Sequence, residues 1–308
     1  MATRGNRRLA TTATETRHEL ARGLQTLPAA EILSRLLEGQ RAAVAQILPA
    51  MGALEAAAKA AAASLVRGGR LAYAGAGSSG LMALSDALEL AGTFGIPPER
   101  TPVLFAGGAA ALIHLAGSVE DEAENARADV GRAGLGAGDT VICVSASGTT
   151  PYTLAAAEAA HAARATVVAI ANVAGSPLLN GSDVAVLLDT GPELVAGSTR
   201  MGAATAQKIA LNMISTLVGL KLGHVHEGYM VNVVADNAKL RARAARIVAE
   251  VAGAAGPEAA AALTATGGAV KPAVLVAAGA ADPAHAGRLL DASGGHLGPA
   301  LAALRSGQ

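Results

Sequence analysis

Hydrophobic residues in this chain fall into short continuous runs separated by longer segments with helical spacing. The short runs predict buried strands between Gly69 and Gly75 and at 102–105, 139–144, 166–171 and 184–188. The longer segments predict helices at 31–48, 54–65, 81–90 and 152–163, and a long one that follows Arg200 and runs towards Leu222. Strands that alternate with helices form parallel sheets covered by helices on both faces. We therefore predict an α/β fold with a five-stranded parallel sheet.

The same pattern divides the chain into three parts. Residues 1–50 combine a polar tail with the first predicted helix, and residues 51–224 hold the predicted sheet and the helices around it. From Met230 onward no strand of comparable strength is visible, and glycines separate short helical stretches. We therefore predict that residues 225–308 form a C-terminal helical domain.

Glycine and hydroxyl residues follow two of the predicted strands. Gly75-Ala-Gly-Ser-Ser-Gly80 and Ser145-Ala-Ser-Gly-Thr-Thr150 each lead from a strand into a helix. The start of a helix attracts anions, because its free N–H groups and its dipole both point at the ligand. We predict a small phosphorylated ligand held by backbone amides and by six hydroxyls, those of Ser78, Ser79, Ser145, Ser147, Thr149 and Thr150.

The first loop also fits two other interpretations. It matches the G-x-G-x-x-G pattern of dinucleotide-binding proteins, which pair it with an acidic residue at the end of the next strand. Here that strand runs into Ala106-Gly-Gly108, which has no carboxylate, and this weighs against a nicotinamide or flavin cofactor. Alternatively, the glycines only allow the helix to approach the strand closely. The second loop weighs against that interpretation, because packing requires glycine but not a row of hydroxyls.

Composition narrows the function further. The formal net charge is zero, so bulk electrostatics favour neither nucleic acid nor an anionic membrane as a partner. No apolar run reaches the length of a membrane span, and residues 1–16 lack a secretory pattern. The single cysteine, Cys143, lies in a predicted strand, which excludes a disulfide framework and fits a reducing compartment. We expect a soluble cytoplasmic protein.

Two carboxylates are candidates for acid–base chemistry. Glu89 lies among apolar neighbours, where a carboxylate is disfavoured as an anion and can serve as a general acid; a solvated glutamate at a helix end is the alternative. Glu120 belongs to an acidic run, Glu120-Asp-Glu122, for which an exposed helix start is the simpler interpretation. His224 and His226 are too isolated to predict a metal site.

Four segments together resemble a known family, the N-acetylmuramic acid 6-phosphate etherases. They are the two loops, the second continuing to Tyr152, and two longer motifs, Gly191-Pro-Glu-Leu-Val-Ala-Gly-Ser-Thr-Arg200 and Thr205-Ala-Gln-Lys-Ile-Ala-Leu-Asn-Met-Ile-Ser-Thr216. The resemblance covers roughly residues 50–300. It implies the sugar isomerase (SIS) fold, a five-stranded parallel sheet between helices. Regulators of the glucokinase regulatory type share these features.

The resemblance assigns roles to both carboxylates. Asp86-Ala-Leu-Glu89, followed by Thr93-Phe-Gly95, matches the segment of the family's catalytic acid, and Glu120-Asp121 matches its second carboxylate. Glu120 would remove the C2 proton of an open-chain amino-sugar 6-phosphate while Glu89 protonates the departing lactyl ether oxygen. Water would then add to the unsaturated aldehyde, giving N-acetylglucosamine 6-phosphate and D-lactate. The resemblance adds Ser198 and Arg200 to the substrate-binding residues and implies no metal or organic cofactor.

Three positions depart from the family pattern. Leu81 and Thr149 stand where arginine is usual, and Met201-Gly202 replaces a usual Leu-Lys, while Arg200 is retained. The substrate carries a phosphate and a carboxylate, for which charge-assisted hydrogen bonds are the stronger ones. Two alternatives therefore stay open: a lyase or isomerase for another amino-sugar phosphate, and a non-catalytic regulator that binds a sugar phosphate.

The predicted helix between the first loop and Glu89 raises a question of distance. If it is unbroken, Glu89 lies roughly 15 Å along it from the loop, too far for one hexose phosphate to span. The second loop could carry the phosphate, the helix could break early, or Glu89 could serve the site of a neighbouring subunit. We predict a homodimer whose active sites are shared.

Overall fold

A parallel sheet occupies the middle of the chain. In the computed structural model, which describes residues 13–235 and 237–307, five strands pair in the order β2-β1-β3-β4-β5. Their bounds are Leu71–Gly75 for β1, Val103–Phe105 for β2, Thr140–Ser145 for β3, Thr166–Ala171 for β4 and Val184–Leu187 for β5. The predicted five-stranded parallel sheet is confirmed. The start of the predicted polar tail, residues 1–12, lies outside the described residues.

Helices cover both faces of this sheet. In chain order they are α1 Ala29–Ala45, α2 Met51–Val66, α3 Gly77–Phe94, α4 Gly108–Ile113, α5 Ala123–Ala133, α6 Pro151–Ala162, α7 Pro177–Asn180 and α8 Gly202–Lys221. Helices α2, α3 and α8 pack on one face, while α5, α6 and α7 pack on the other. Successive residues of β3 alternate between these two cores, and all six are buried. Burial on both faces explains why the strands appear in the sequence as continuous apolar runs.

The strand order creates a crevice beside β1. From β1 the chain crosses to β2 on one side, and later strands are added on the other side, beginning with β3. Open α/β sheets bind ligands where the strand order reverses, outside the carboxyl ends of the strands. Gly75 at the end of β1 pairs with Val144 near the end of β3. The two loops predicted to bind phosphate therefore flank the same crevice.

Two glycines bring α3 close to the sheet. A Cβ atom on Gly80 would lie 2.8 Å from the carbonyl carbon of Gly75 and 2.8 Å from the ring of Phe105. A Cβ atom on Gly75 would lie 2.9 Å from the Cα of Gly80. For these two positions the packing interpretation of the glycines holds.

This close approach gives a stability prediction with a control in the same helix. Gly80→Ala should destabilise the fold by about 1–3 kcal/mol, because the added methyl group has no space. Gly92→Ala should stabilise it by about 0.5–1 kcal/mol through helix propensity, since no atom lies within 4 Å of the site of a Cβ on Gly92. Urea denaturation of both variants measures the two effects. Equal midpoints would contradict the assignment of a packing role to Gly80.

The chain beyond α8 is mainly helical. A short antiparallel hairpin, β6 Val225–His226 and β7 Tyr229–Met230, precedes α9 Ala238–Ala252, α10 Gly256–Ala265, α11 Val270–Ala277, α12 Pro283–Ala292 and α13 Leu297–Ser306. These helices share a core of their own. The sequence prediction missed the hairpin, whose strands of two residues are too short to give a pattern. The domain boundary at residue 225 stays a prediction.

The C-terminal helices attach near the far end of α3. The Asn232 side chain donates to the carbonyl of Phe94, at 2.9 Å, and the Asn232 carbonyl fills the space beside Gly95. This is the end of α3 opposite to the first loop. Within the described ranges, no helix combines the length and the apolar character that crossing a membrane requires.

Candidate active site

The Glu120 carboxylate lies against the start of α3. Glu120 belongs to a 3-10 turn, Gly117–Asp121, which follows β2 and α4. Its Oε1 is 2.5 Å from where a Cβ atom on Gly77 would stand, and Gly77 has a φ of +53°. Only glycine fits here without strain, because a side chain would be disfavoured by the backbone and would collide with the carboxylate. The middle glycine of the first loop therefore makes room for Glu120.

The surroundings of Glu120 suit a general base. Its side chain is half-buried at the crevice. Burial, and after it the negative charge of Asp121, raises the pKa of Glu120 above the ordinary glutamate value. A carboxylate with a raised pKa is a stronger base than an ordinary one. The acidic run on its own favours an exposed helix start for Glu120. No sequence pattern indicates the contact between Glu120 and Gly77.

Hydroxyls hold the second loop together. Ser145, which is buried, bonds with its Oγ to the hydroxyl of Thr150 at 2.9 Å and accepts the N–H of Gly148 at 3.1 Å. Ser147 accepts both the N–H and the hydroxyl of Thr149, at 3.2 and 2.9 Å. Ser145 therefore shapes the loop from within, whereas Ser147 and Thr149 are more open to the crevice.

Gly148 allows the second loop to lie close against the segment that follows β4. Gly148 has a φ of +66°, and a Cβ atom there would lie 2.2 Å from the Ser176 hydroxyl oxygen. Its carbonyl also accepts the N–H of Leu178 at 3.1 Å. The loop thus has little freedom to move away from the end of β3. Such a preformed loop can present its amides and the start of α6 to an anion.

The two serines of the first loop differ in exposure. Ser78 is half-buried at the start of α3, and Ser79 is buried. The N-cap residue of this helix is Ala76, whose side chain makes no capping hydrogen bond. Of the two hydroxyls, Ser78 is the one open to the crevice.

The third motif follows β5, two strands away from β3. Adjacent strands lie about 4.8 Å apart, so the carboxyl end of β5 is about 10 Å from that of β3, and Ser198 and Arg200 belong to the long segment that connects β5 to α8. Ser198 is half-buried and Arg200 is exposed. The structure brings the first two loops to the same crevice, where Gly77 of the first loop contacts Glu120.

Glu193 is a buried carboxylate that the sequence analysis did not single out. It is 6% exposed, and its two oxygens accept the N–H groups of Gly202 and Ala203 at 2.9 and 2.8 Å. These are the first amides of α8, so a carboxyl group of the chain itself already occupies the start of this helix. A substrate phosphate is therefore not expected there. Glu193 lies nine residues before the helix it caps. No capping motif has that spacing, so the sequence does not indicate this contact.

Asp86 is a second buried carboxylate, and it joins α3 to α8 and the sheet. It is 5% exposed and accepts hydrogen bonds from Tyr73 at 2.9 Å, Asn212 at 2.7 Å and Ser215 at 2.9 Å. Burial raises the pKa of Asp86, although these hydrogen bonds act in the opposite direction. The cluster fixes the part of α3 that lies one turn before Glu89.

Glu89 lies far from Glu120 within one chain. Helix α3 is unbroken from Gly77 to Phe94. The 12 residues from Gly77 to Glu89 span roughly 18 Å. Glu89 is exposed, and so is Leu88, at 69%. An apolar environment for Glu89 is therefore not present in the single chain, and the option that the helix breaks early is excluded.

Within residues 13–235 and 237–307, no group of three or more His, Cys, Asp or Glu side chains is arranged to hold a metal ion. The buried Cys143 belongs to β3, where burial raises the pKa of its thiol to about 12. Such a thiol is not available as a nucleophile near neutral pH.

Comparison with known proteins agrees with this geometry. The SIS domain family model matches residues 38–172. A candidate phosphosugar isomerase of Bacteroides fragilis, involved in capsule formation, has the same fold, with a TM-score of 0.51 and 22% sequence identity over 66% of this chain and 95% of that one.

Curated relatives extend the similarity over nearly the whole chain. The N-acetylmuramic acid 6-phosphate etherase of Deinococcus radiodurans is 44% identical over 92% of this chain and 93% of its own length. The enzyme of the same name from Streptomyces avermitilis is 45% identical over 93% and 92%, and that from Cronobacter sakazakii 39% over 95% and 99%. The chain belongs to the N-acetylmuramic acid 6-phosphate etherase family. The resemblance seen in the sequence is thus confirmed.

Three positions of this etherase family member depart from the usual family pattern, and the structure shows what surrounds each of them. Leu81 is half-buried in the second turn of α3, and Thr149 bonds to the Ser147 hydroxyl. A Cβ atom on Gly202 would lie 3.1 Å from the Cβ of Ala43 and 3.1 Å from the Glu193 carboxylate. Glycine at 202 therefore fits the close packing of α8 against α1 and Glu193.

Proposed function

We propose that this chain is an N-acetylmuramic acid 6-phosphate etherase. It cleaves the lactyl ether by elimination and then hydrates the product, which yields N-acetylglucosamine 6-phosphate and D-lactate. The observation that carries the proposal is the Glu120 carboxylate at the crevice between β1 and β3, in a chain of the etherase family. No organic cofactor has a step in this reaction.

Glu120 acts as the base at C2 of the sugar. In the open-chain form the proton at C2 is acidified by the neighbouring aldehyde, and a positioned carboxylate can remove it. The raised pKa of Glu120, caused by burial and then by Asp121, strengthens it as a base. The lactyl group at C3 then departs with the electron pair of the C–O bond, provided that an acid protonates the ether oxygen.

The phosphate of the substrate binds at the second loop. The start of α3 already faces the negative charge of Glu120, and a second anion at that place would be repelled. The start of α6 has no acidic residue in its own first turn and is preceded by the hydroxyls of Ser147 and Thr149. This choice leaves C2 of the sugar free to reach Glu120 across the crevice. Ser78, Ser198 and Arg200 complete the binding residues from the other loops.

Ser147 gives a direct test of the phosphate position. Ser147→Ala should weaken binding of an amino-sugar 6-phosphate by roughly tenfold or more, because a hydrogen bond to a charged group contributes about 1.5–3 kcal/mol. Ser85→Ala, at an exposed position on α3, is the control. Isothermal titration with glucosamine 6-phosphate measures the affinities. Equal affinities of the two variants would refute phosphate binding by Ser147.

Glu89 is the acid, and it acts in the site of a second copy of the chain. A hexose phosphate held at the crevice cannot reach Glu89 of its own chain, roughly 18 Å away along α3. A two-fold dimer that pairs the outer ends of α3 with the crevices would bring Glu89 of one copy to Glu120 of the other. Both carboxylates would then flank the same sugar.

Exposed apolar side chains support a homodimer. Leu88, next to Glu89, is 69% exposed. Along α1 and the turn after it, Leu33, Leu37 and Leu48 follow helical spacing and are 66%, 53% and 72% exposed. Apolar surfaces of this kind, when contiguous, are typical of interfaces between proteins. We further propose a cytoplasmic location, which the single cysteine supports.

The pH dependence of the reaction should identify Glu120 as the base. Since the base works when ionised, kcat/KM should fall as the pH drops through the pKa of Glu120, which burial and then Asp121 raise. Asp121→Asn removes the like charge, so it should move this acidic limb to lower pH. Glu124→Gln, at an exposed position on α5, should leave the limb in place. An acidic limb that does not move in Asp121→Asn would contradict the role of Glu120.

The reaction itself can be tested with purified protein. Incubation with N-acetylmuramic acid 6-phosphate should release D-lactate, which a D-lactate dehydrogenase assay detects. Binding of the sugar phosphate without lactate release would favour the non-catalytic regulator. Release of no lactate together with turnover of another amino-sugar phosphate would favour the alternative lyase or isomerase.

A further inference from the structure

A large cavity lies among the C-terminal helices. Its volume is about 870 Å³, within the range of small-molecule sites. It lies between α9, α10, α11 and the segment before α9, and its walls are largely apolar, including Val233, Ala245, Leu263, Val270 and Leu290. None of the residues placed in the candidate active site lines it.

One buried cation stands in the wall of this cavity. Lys271, near the start of α11, is 8% exposed, and its ammonium donates to the carbonyl of Gly295 at 2.9 Å. An ammonium has three donors, so this bond leaves two for a ligand. Among the residues that the structure describes, no carboxylate lines the cavity and no ion pair joins Lys271 to a carboxylate.

The groups near Lys271 do not neutralise it. Burial lowers the pKa of Lys271 to about 8, which still leaves most of the side chain charged at neutral pH. Burial, and then the charge of Lys271, lowers the pKa of His224 to about 4, so this histidine is neutral. The His296 ring, which lies beside Gly223, adds no negative charge either. A buried charge without a partner is unfavourable, and an anion bound beside it would remove that cost.

We infer that this cavity binds a small organic carboxylate with an apolar body. The carboxylate pairs with the Lys271 ammonium, and the body lies against the apolar walls formed by α9, α10 and α11. Arg241 also lines the cavity, but it is exposed and is already engaged in an interaction of its own. Lys271 is therefore the buried cation available to a ligand, and its single charge matches that of a carboxylate. The inference is independent of the etherase reaction, because the cavity and the crevice share no residue.

Octanoate is a suitable probe because it combines a carboxylate with an apolar chain. Isothermal titration of the full chain should show millimolar or tighter binding of octanoate. Acetate, which has the charge alone, and 1-octanol, which has the chain alone, should each bind at least tenfold more weakly. Lys271→Met keeps the length of the side chain and should weaken octanoate binding at least tenfold. Lys221→Met, at an exposed position at the end of α8, should bind like the parent chain.

A second variant guards against a change in folding. Ala245→Leu fills part of the cavity and leaves Lys271 in place, and it should also weaken octanoate binding at least tenfold. Both variants should keep the parent rate of lactate release, since neither position belongs to the active site. Absence of octanoate binding to the parent chain would overturn the inference. Equal binding of octanoate and 1-octanol, or unchanged binding in Lys271→Met, would also overturn it.

Discussion

Glu120→Gln is expected to lower the rate of lactate release by about 10²- to 10⁴-fold, the range that a positioned acid–base group contributes. Glutamine has the size of glutamate and should keep the contact with Gly77, so the fold is preserved while the base is lost. Exchange of the C2 proton with deuterated solvent should fall by a similar factor, because the same group removes that proton. Mass spectrometry of recovered substrate measures the exchange, and a D-lactate assay measures the release.

Two comparisons make this prediction specific. Glu122→Gln changes an exposed carboxylate two residues away and should leave both rates near the parent values. Glu89→Gln should retain C2 exchange but release little lactate, because it removes only the acid for the leaving group. If Glu120→Gln still exchanged the C2 proton and Glu89→Gln did not, the two roles would have to be reversed.

Mixed dimers should recover activity from two inactive chains. When Glu89→Gln and Glu120→Gln chains are refolded together in equal amounts, half of the dimers should carry one of each. In a shared arrangement, one of the two sites in such a dimer has both glutamates intact, which gives about a quarter of the parent activity. Tagging the two chains differently allows the mixed dimers to be purified and assayed alone.

The alternative arrangement predicts a different result. If each chain built its site from its own Glu89 and Glu120, every site in a mixed dimer would lack one of them. Mixed dimers of proven composition would then stay inactive. A monomeric protein with full activity would also contradict the shared site.

The sequence predicts the sheet well because its strands are buried on both faces. Burial of that kind leaves continuous apolar runs, as at Thr166–Ala171, where the predicted and observed bounds agree. The hydroxyl loops could be placed at one edge of the sheet for a related reason, since the carboxyl ends of parallel strands all lie there. For this part of the chain, the local hydrophobic pattern and the topology of the parallel sheet therefore predict the same structure.

The sequence says much less about contacts between distant segments. Glu193 caps α8 and Glu120 lies against Gly77, but neither pair has a spacing that identifies it in advance. Glu89 has apolar neighbours in the sequence and is nevertheless exposed, because consecutive residues of a helix point in different directions. Side-chain burial depends on the rotation of the helix against the sheet, which a single sequence specifies only weakly.

The unbroken helix α3 fixes the spacing between the first loop and Glu89. This restricts the insertions and deletions that the segment between them can accept. An insertion of one residue between Gly80 and Glu89 would advance Glu89 by about 1.5 Å and turn it by about 100° around the helix axis. Substitutions on the exposed side of this stretch leave both values unchanged. Relatives that keep the chemistry should therefore vary in the side chains of this segment but keep its length.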